Sequence, residues 1–488
     1  MIHSAHSLET VWRGLYRGDR TEHARINFLR FLERQFGAHL VQDDSEVPFG
    51  RPDMLDLFSI AEKMFASGVA KLYYPAPYSP DEPPFALWYM EYIQGGATVR
   101  AAGGDITDER SAFSRALAEA TERYIWFTQS DMLVSPTRAT VSEIQRKGTA
   151  LTPDRFASFN PQQRKKDPRF HIQSDSLFLW TRATSLITKK MVWLPAQTIS
   201  RYGMNLAVRG IGEQREPIIR PSITTGLATH PEKSCALLSG ALEVIERDAY
   251  MLTWLNQITP PRIPTHELVQ RRPSLATLVA LCEQYRLQPH FIRLVSDAPT
   301  YSIGAFLEDL TPHAPKLGLG LKSDCDPALA AERALIEALR ARRGARAQIR
   351  KYERKGRPIA TVRHTGQRNR LVYWAQADRH KHLQFLLSGK EQPLRPEIWD
   401  SDSPQQHLDR IIHWCSEQGY ECASVSFTQA RANHTPWHIE MVVIPELIPI
   451  HYTEATPPIG GARIHDVPKR LGFRVRSEPY TNEPHPFA

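Results

Sequence analysis

Two stretches of the chain, LAEATERY at 117–124 and ALEVIERDAY at 241–250, share one layout. Each sets a Glu, a second Glu three residues on and an Arg directly after it inside an otherwise apolar run. At about 100° per residue both runs become helices with a distinct apolar face. In the first, Phe113, Ala116, Leu117, Ala120 and Tyr124 oppose Arg115, Glu119, Glu122 and Trp126. In the second, Leu238, Leu242, Ile245 and Ala249 oppose Ser239, Glu243, Glu246 and Tyr250. A third helical run, PALAAERALIEALRARR from residue 327, follows Glu337 with Arg340, Arg342 and further basic residues. Any fold for this chain must place several carboxylates, backed by guanidinium groups, on separate helices.

Two readings of these stripes stand side by side. One is a solvated helix face. The other is a shared site, favoured by Trp126 and Tyr250, which are unusual in open water, and by the absence of Lys from both stripes. Converging carboxylates repel one another and raise each other's pKa unless cations are bound. Hard divalent cations relieve this, and Mg2+ takes waters and phosphate oxygens as its other ligands. Arg123, Arg247, Arg340 and Arg342 could then contact phosphate. No GxxxxGK[ST] loop occurs, and GLGLKS at 318–323 lacks its spacing, so its glycines are expected to mark a close backbone approach or a turn.

The 488 residues allow two to four domains with real cores. The net charge of +8, from 61 Lys and Arg against 53 Asp and Glu, is mild. The basic stretch RARRGARAQIRKYERKGR has almost no aromatic interleaving, which argues against nucleic acid, and reads as a solvated helix end or a dock for an acidic partner. Five scattered cysteines form no CxxC pair and no zinc spacing, which points to reduced thiols. The N-terminus has no apolar h-region, and no run approaches the ~20 apolar residues of a membrane span. The expectation is a soluble cytoplasmic protein.

Helical signals fall at TEHARINFLRFLERQFG (21–37), at DMLDLFSIAEKMFASG (53–68) and at PQQHLDRIIHWCSEQG (404–419). Strand-like pieces include LWYMEYI, FIRLVSD, YSIGAFLED, ASVSFT and HIEMVVIP. Their irregular mixture predicts an α+β fold. YYPAPYSPDEPPFALW makes a boundary between a helical region at 1–90, a possible partner dock, and a main domain at 91–488.

The arrangement resembles the YcaO family of ATP-using enzymes that activate backbone amides. AFSRALAEATERY is similar to that family's first Glu helix, TTGLATHPEKSCALLSGALEVIERDAYMLTWL to its second and GLGLKSDCDPALAAERALIEALRARR to its third. RHKHLQFLLSG and VVIPELIPIHYTEATPPIGGARIHDVPKRLGF are similar to downstream segments. The terminal NEPHPFA resembles the Pro-x-Pro-x-Pro tail of azoline-forming members, with Pro484 and Pro486 in place and Ala488 where the last proline stands. A polyproline II tail is stiff and can carry a terminal carboxylate to a fixed place.

The resemblance implies mixed or antiparallel sheets with Glu-bearing helices around an ATP site. It implies attack of a substrate Cys, Ser or Thr on the preceding amide carbon, phosphorylation of the amide oxygen by ATP, and elimination to a thiazoline or oxazoline. Glu119, Glu122, Glu243, Glu246 and Glu337 are then candidates for Mg2+ and nucleotide contacts. Arg115, Arg123, Arg247, Arg340 and Arg342 are candidates for phosphate contact or for holding those carboxylates, and Ala488 for proton transfer. The chain departs from the pattern at GGD (103–105) for Gly-Lys-Gly, Arg115 for Ser, Cys235 for Glu and Arg340 for Gln. A precursor peptide is the implied substrate. The roughly 90 residues before the match are too few for a full E1-like domain, so a separate ThiF-like leader-binding protein is expected. An FMN-dependent azoline dehydrogenase and a homodimer are further expected partners. Thioamide or amidine formation, or a catalytically weakened scaffold, are the alternatives.

Overall fold

The computed structural model describes residues 55–76, 82–94, 97–106, 108–128, 137–156, 159–200, 215–220, 223–311, 315–359, 367–376, 378–394, 402–430, 433–451, 456–478 and 483–487. The helix expected at 21–37 and the terminal Ala488 lie outside these residues. The chain divides into two compact units. One comprises Met1–Tyr78, Pro84–Gln129 and Thr428–Trp437; the other comprises Ser79–Pro83, Ser130–Phe427 and His438–Ala488.

In the first unit, helix α1 (Leu55–Ala66) precedes a three-stranded antiparallel sheet of β1 (Ala70–Pro75), β2 (Ala86–Gln94) and β3 (Ala97–Asp105), and helix α2 (Glu109–Thr128) packs on β2 and β3. Phe113 of α2 supplies the anchor. Its ring lies 4.9 Å from Phe58, 4.7 Å from Trp88 and 5.5 Å from Tyr73, so the apolar face predicted for this helix is the buried one. Trp126, on the opposite stripe, is buried as well.

The second unit holds two antiparallel sheets. The four-stranded one runs β11 (Leu317–Asp324), β10 (Tyr301–Asp309), β9 (Leu287–Arg293), β8 (Arg262–Ile263). The larger runs β4 (Thr137–Ala139), β5 (Phe178–Ser185), β12 (Ala423–Ser426), β13 (His438–Val443), β7 (Leu227–His230), with β6 (Met191–Pro195) also on β5. Every strand pair in both sheets is antiparallel. This is the α+β fold expected from the sequence.

Helix α3 (Lys233–Leu255) lies at the centre of this unit, packed on β7 and β13 of one sheet and on β11 of the other. From Gly240 onward it is buried on nearly every side, which its run of Ala, Leu, Ile, Met and Trp permits. Helix α4 (Pro273–Gln284) covers β9, α5 (Pro327–Arg354) covers β10 and β11, and α6 (Gln367–Trp374) packs on α5. Helices α7 (Pro404–Glu417) and α8 (Arg463–Arg470) flank α3. Among the described residues, no helix is long and apolar enough to cross a membrane.

Candidate functional site

Three of the predicted glutamates are held in the same way. The backbone N–H of Ala102 donates to Glu119 Oε2 at 3.0 Å, that of Gly226 to Glu243 Oε2 at 2.8 Å, and that of Leu321 to Glu337 Oε2 at 2.8 Å. Ala102 and Leu321 lie within β3 and β11, Gly226 directly precedes β7, and each acceptor lies 16 or 17 residues later on the following helix. The contact requires helix backbone to touch strand backbone, and glycine provides the room. A Cβ on Gly103 would collide with Ala112 O and Ala116 N of α2. One on Gly320 would collide with Ala334 O and Ala338 N of α5, and one on Gly240 with Gly226 O. The expectation that the GLGLKS glycines mark a close approach is met. An N–H bond to one carboxylate oxygen fixes the side chain and leaves the other oxygen for a cation.

In the second unit these groups converge. Glu246, 1 % exposed, accepts from the Ser323 N–H at 3.2 Å and pairs with Arg247 Nη1 at 2.8 Å and Lys322 Nζ at 3.7 Å. Arg247 Nη2 reaches Glu243 Oε1 at 3.2 Å, so one guanidinium spans both carboxylates. Burial pushes the Glu246 pKa up and the charges of Glu337 and Glu243 add to this, while Arg247 and Lys322 oppose it. Glu243, Glu246 and Glu337 therefore share one electrostatic environment. Nothing in the GLGLKS pattern marks Lys322 for this cluster; its place on β11 beside Glu246 does.

Among the described residues, no three His, Cys, Asp or Glu side chains form a ready-made metal cage. Glu246 is instead paired with Arg247 and Lys322. Mg2+, however, is usually held by one or two carboxylates plus phosphate oxygens and waters rather than by an all-protein cage. A set of N–H-fixed carboxylates, each with a second oxygen and with cations beside them, fits that mode of binding.

In the first unit, Arg123 Nε pairs with Glu119 Oε1 at 3.0 Å, and Glu122 sits half-buried on the same stripe. Arg115 turns back to the preceding strand, donating to the Gly104 carbonyl and pairing with Asp105 Oδ2 at 2.7 Å. On α5, Arg340 is half-buried one turn beyond Glu337. Arg342, about 200° further round than Arg340, meets different carboxylates. It pairs with Glu82 and Asp309 at 2.5 Å each, all three groups being buried. Its guanidinium is thus committed to anchoring α5 rather than placed with Glu337. Cys235 is half-buried with its thiol pKa raised by burial and by Glu232, which is the opposite of an activated nucleophile.

The end of the chain docks onto α3. The Phe487 ring lies 4.3 Å from the Arg247 guanidinium carbon and 6.0 Å from Tyr250. His485 is fully buried, edge-on to Tyr250, and its Nε2 lies 2.5 Å from the His451 carbonyl while Arg370 Nη1 approaches Nδ1 at 3.1 Å. Burial, Arg370 and His451 hold its pKa well below the usual range, so it is the neutral ring that takes these contacts. The Trp374 indole donates to the Pro484 carbonyl at 3.1 Å, and Tyr373 donates to Glu483. Tyr250 is therefore buried beneath the tail, which explains an aromatic on the acidic stripe.

Asp248, next to Arg247, points elsewhere again. It accepts from the Ile448 N–H at 2.8 Å and pairs with Arg463 at 2.6 Å, and Arg463 also pairs with Asp297 at 2.8 Å.

Several known structures share this fold. A heterocyclase solved in complex with substrate and cofactor is similar at 20% identity with a TM-score of 0.69, over 88% of this chain and 57% of its own. The chain thus spans little more than half the length of that protein. YcaO from Methanopyrus kandleri, bound with AMPPCP and Mg2+, is similar at 18% identity with a TM-score of 0.54, over 84% of this chain and 94% of its own. The E. coli microcin synthetase McbBCD complex with pro-MccB17 bound gives 11% identity and a TM-score of 0.55, over 84% and 96%. No curated protein matches the chain in sequence. A family model described as an ATP- and Mg2+-binding YcaO cyclodehydratase matches residues 103–448. With that match covering well over half its length, the chain belongs to the YcaO cyclodehydratase family, whose cofactors are ATP and Mg2+.

Proposed function

We propose that this protein is an ATP-dependent cyclodehydratase that converts Cys, Ser or Thr residues of a ribosomally made precursor peptide into thiazoline or oxazoline rings. The observation that carries the reading is the cluster of Glu243, Glu246 and Glu337, fixed by backbone N–H groups and flanked by Arg247 and Lys322, with Phe487 of the C-terminal tail seated on the same arginine. When bound, Mg·ATP supplies the phosphoryl group that turns the amide oxygen into a leaving group. Glu243, Glu246 and Glu337 would hold the metal; Glu119 and Glu122 are the carboxylates proposed for cation contact on the first unit. Arg247 neutralises the carboxylates and, with Lys322, offers donors toward phosphate oxygens. Arg115, Arg123 and Arg340 are the remaining candidate phosphate contacts. Arg342, paired with Glu82 and Asp309, positions the helix that carries Glu337.

The contact of Phe487 with Arg247 supports assigning the proton-transfer role to Ala488, the residue that follows it in the sequence. Pro484 and Pro486 stiffen the approach, and the carboxylate is the proposed proton acceptor. Residues 91–488 form the catalytic domain in this reading, and residues 1–90 dock a partner. The reaction runs in the cytoplasm within a multi-subunit synthetase containing a separate ThiF-like leader-binding protein, with an FMN-dependent azoline dehydrogenase as a further partner and a homodimer as the working unit. The docked tail favours ring formation over thioamide or amidine formation or a scaffold role, because the resemblance ties such tails to azoline-forming members.

The test is mass spectrometry of the precursor peptide after incubation with enzyme, partner and Mg·ATP. Loss of one water per modified residue, with matching ADP release, is the expected result. Peptide left at its original mass with no ATP turnover would refute the reading.

A further inference from the structure

Arg220 lies outside the machinery described above, and its surroundings do not match its charge. The residue is 8 % exposed. Its guanidinium sits 5.0 Å from the Phe156 ring, and its Nε has no hydrogen-bond partner among the described residues. No described carboxylate pairs with it. Burial pulls its pKa down to about 10, which leaves it charged at neutral pH. A buried cation with no counter-ion among the described residues is a costly arrangement, and an aromatic face offsets only part of it.

Arg220 also lines a small cavity of about 20 Å³, together with Thr225, Val244, Arg247, Leu447 and Ile448. That space admits a single water-sized group. Among the described residues, no acidic side chain lines it. Arg247 is already matched by Glu243 and Glu246, so the unbalanced charge facing the cavity is that of Arg220. The lining thus brings two arginines, a threonine and apolar residues around room for one oxygen. Guanidinium forks suit phosphate oxygens better than any other common anion.

We propose that Arg220 and Arg247 form a phosphate subsite that seats one oxygen of a phosphate group, either the terminal phosphoryl of a bound nucleotide or free orthophosphate. The nucleotide arm rests on the ATP-dependent activity proposed above; the orthophosphate arm does not. In this arrangement Arg220 is a ligand of the phosphate alongside Arg247, the two being brought together by the lining of this cavity.

The test uses the full-length chain and its R220M and R220K variants. Dissociation constants are titrated for orthophosphate and, separately, for Mg·ATP, and melting temperatures are recorded with and without orthophosphate. In phosphate-free buffer R220M is expected to melt at or above the wild-type temperature, because a buried charge with no described counter-ion has been removed. Orthophosphate is expected to raise the wild-type melting temperature and not that of R220M. A rise of about tenfold or more in the R220M constants, with R220K intermediate, supports the subsite. A change for Mg·ATP alone identifies the nucleotide phosphoryl, and a change for orthophosphate alone identifies the free anion. Unchanged constants in both variants, with wild-type Mg·ATP binding intact, mean the cavity holds only water and overturn the inference while leaving the proposed function standing. Wild-type protein that binds no Mg·ATP overturns the proposed function instead, and the orthophosphate titration then decides the subsite by itself.

Discussion

Replacing Gly320 by Ala tests whether the acidic site depends on backbone-to-backbone packing. Gly320 has no left-handed φ, so an Ala there meets no torsional penalty and the effect is purely steric. Its Cβ would lie 2.5 Å from Ala338 N and 2.9 Å from Glu337 Cβ, with Ala334 O closer still. Ordinary contact needs about 3.5 Å, so α5 must move away from β11 by about 1 Å. The Leu321 N–H to Glu337 bond, now 2.8 Å, would then lengthen beyond hydrogen-bonding range. Overpacking costs about 1–3 kcal/mol and loss of a charged hydrogen bond about 1.5–3 kcal/mol, so G320A should lose roughly 3 kcal/mol or more in urea unfolding. ATP hydrolysis should fall with it, measured where the variant is still folded. Gly344 on the same helix is the control, since its Cβ would meet only Leu371 Cδ1 at 3.6 Å. G344A should gain about 0.5–1 kcal/mol from helix propensity and keep full turnover. A G320A protein as stable and active as wild type would refute the packing argument.

Other expectations follow from the same contacts. E246A leaves Arg247 and Lys322 without their buried partner, so it should cost about 3–5 kcal/mol of stability. ATP hydrolysis should fall by more than the ~100-fold usual for outer-shell losses; unchanged turnover in a phosphate-release assay would remove Glu246 from the site. Truncation at Glu483 should reduce ring formation, followed by mass spectrometry, about 10²-fold or more while nucleotide affinity changes little. Equal losses in both would assign the tail a structural role only. Glu216 is buried where it accepts from the Leu179 N–H, and burial raises its pKa from 4.5 to about 7. The folded state therefore holds its proton more tightly than the unfolded chain. That contribution is present in full below pH 4.5 and is lost as pH rises to about 7, for a swing of about 3 kcal/mol. E216Q should flatten the stability profile across that window, as read by denaturation at successive pH values; a profile identical to wild type would contradict the assignment.

What could be read from the sequence was whatever repeats at short range. The 3.6-residue period placed Glu119, Glu243, Glu246 and Glu337 on helices, and GLGLKS signalled a close approach that Gly320 makes. The α+β class followed from the mixture of runs. The rest depends on partners far apart in sequence. Arg370 meets His485 across 115 residues, and Arg342 meets Glu82 across 260, and no local pattern marks either pair. Lys322 looked like part of a failed phosphate loop until β11 placed it beside Glu246. Arg220 carries no motif at all. The shared strand-to-Glu hydrogen bond escaped notice because the three donors, Ala102, Gly226 and Leu321, have nothing in common but position.

The density of the Glu246–Arg247–Asp248 run follows from burial. Successive helical residues point about 100° apart, so on a helix exposed on one side three adjacent charges would mostly face solvent. α3 is enclosed, and each of the three must find its own counter-charge in a different direction. Glu246 turns to β11 through the Ser323 N–H and Lys322. Arg247 turns to Glu243 and to the docked Phe487. Asp248 turns to Arg463 and the Ile448 N–H. A single helical turn thereby joins a sheet edge, the chain terminus and the segment that carries Arg463. Any displacement of α3 would disturb all three connections at once, so the acidic cluster and the tail are held to one geometry by adjacent residues of the same backbone.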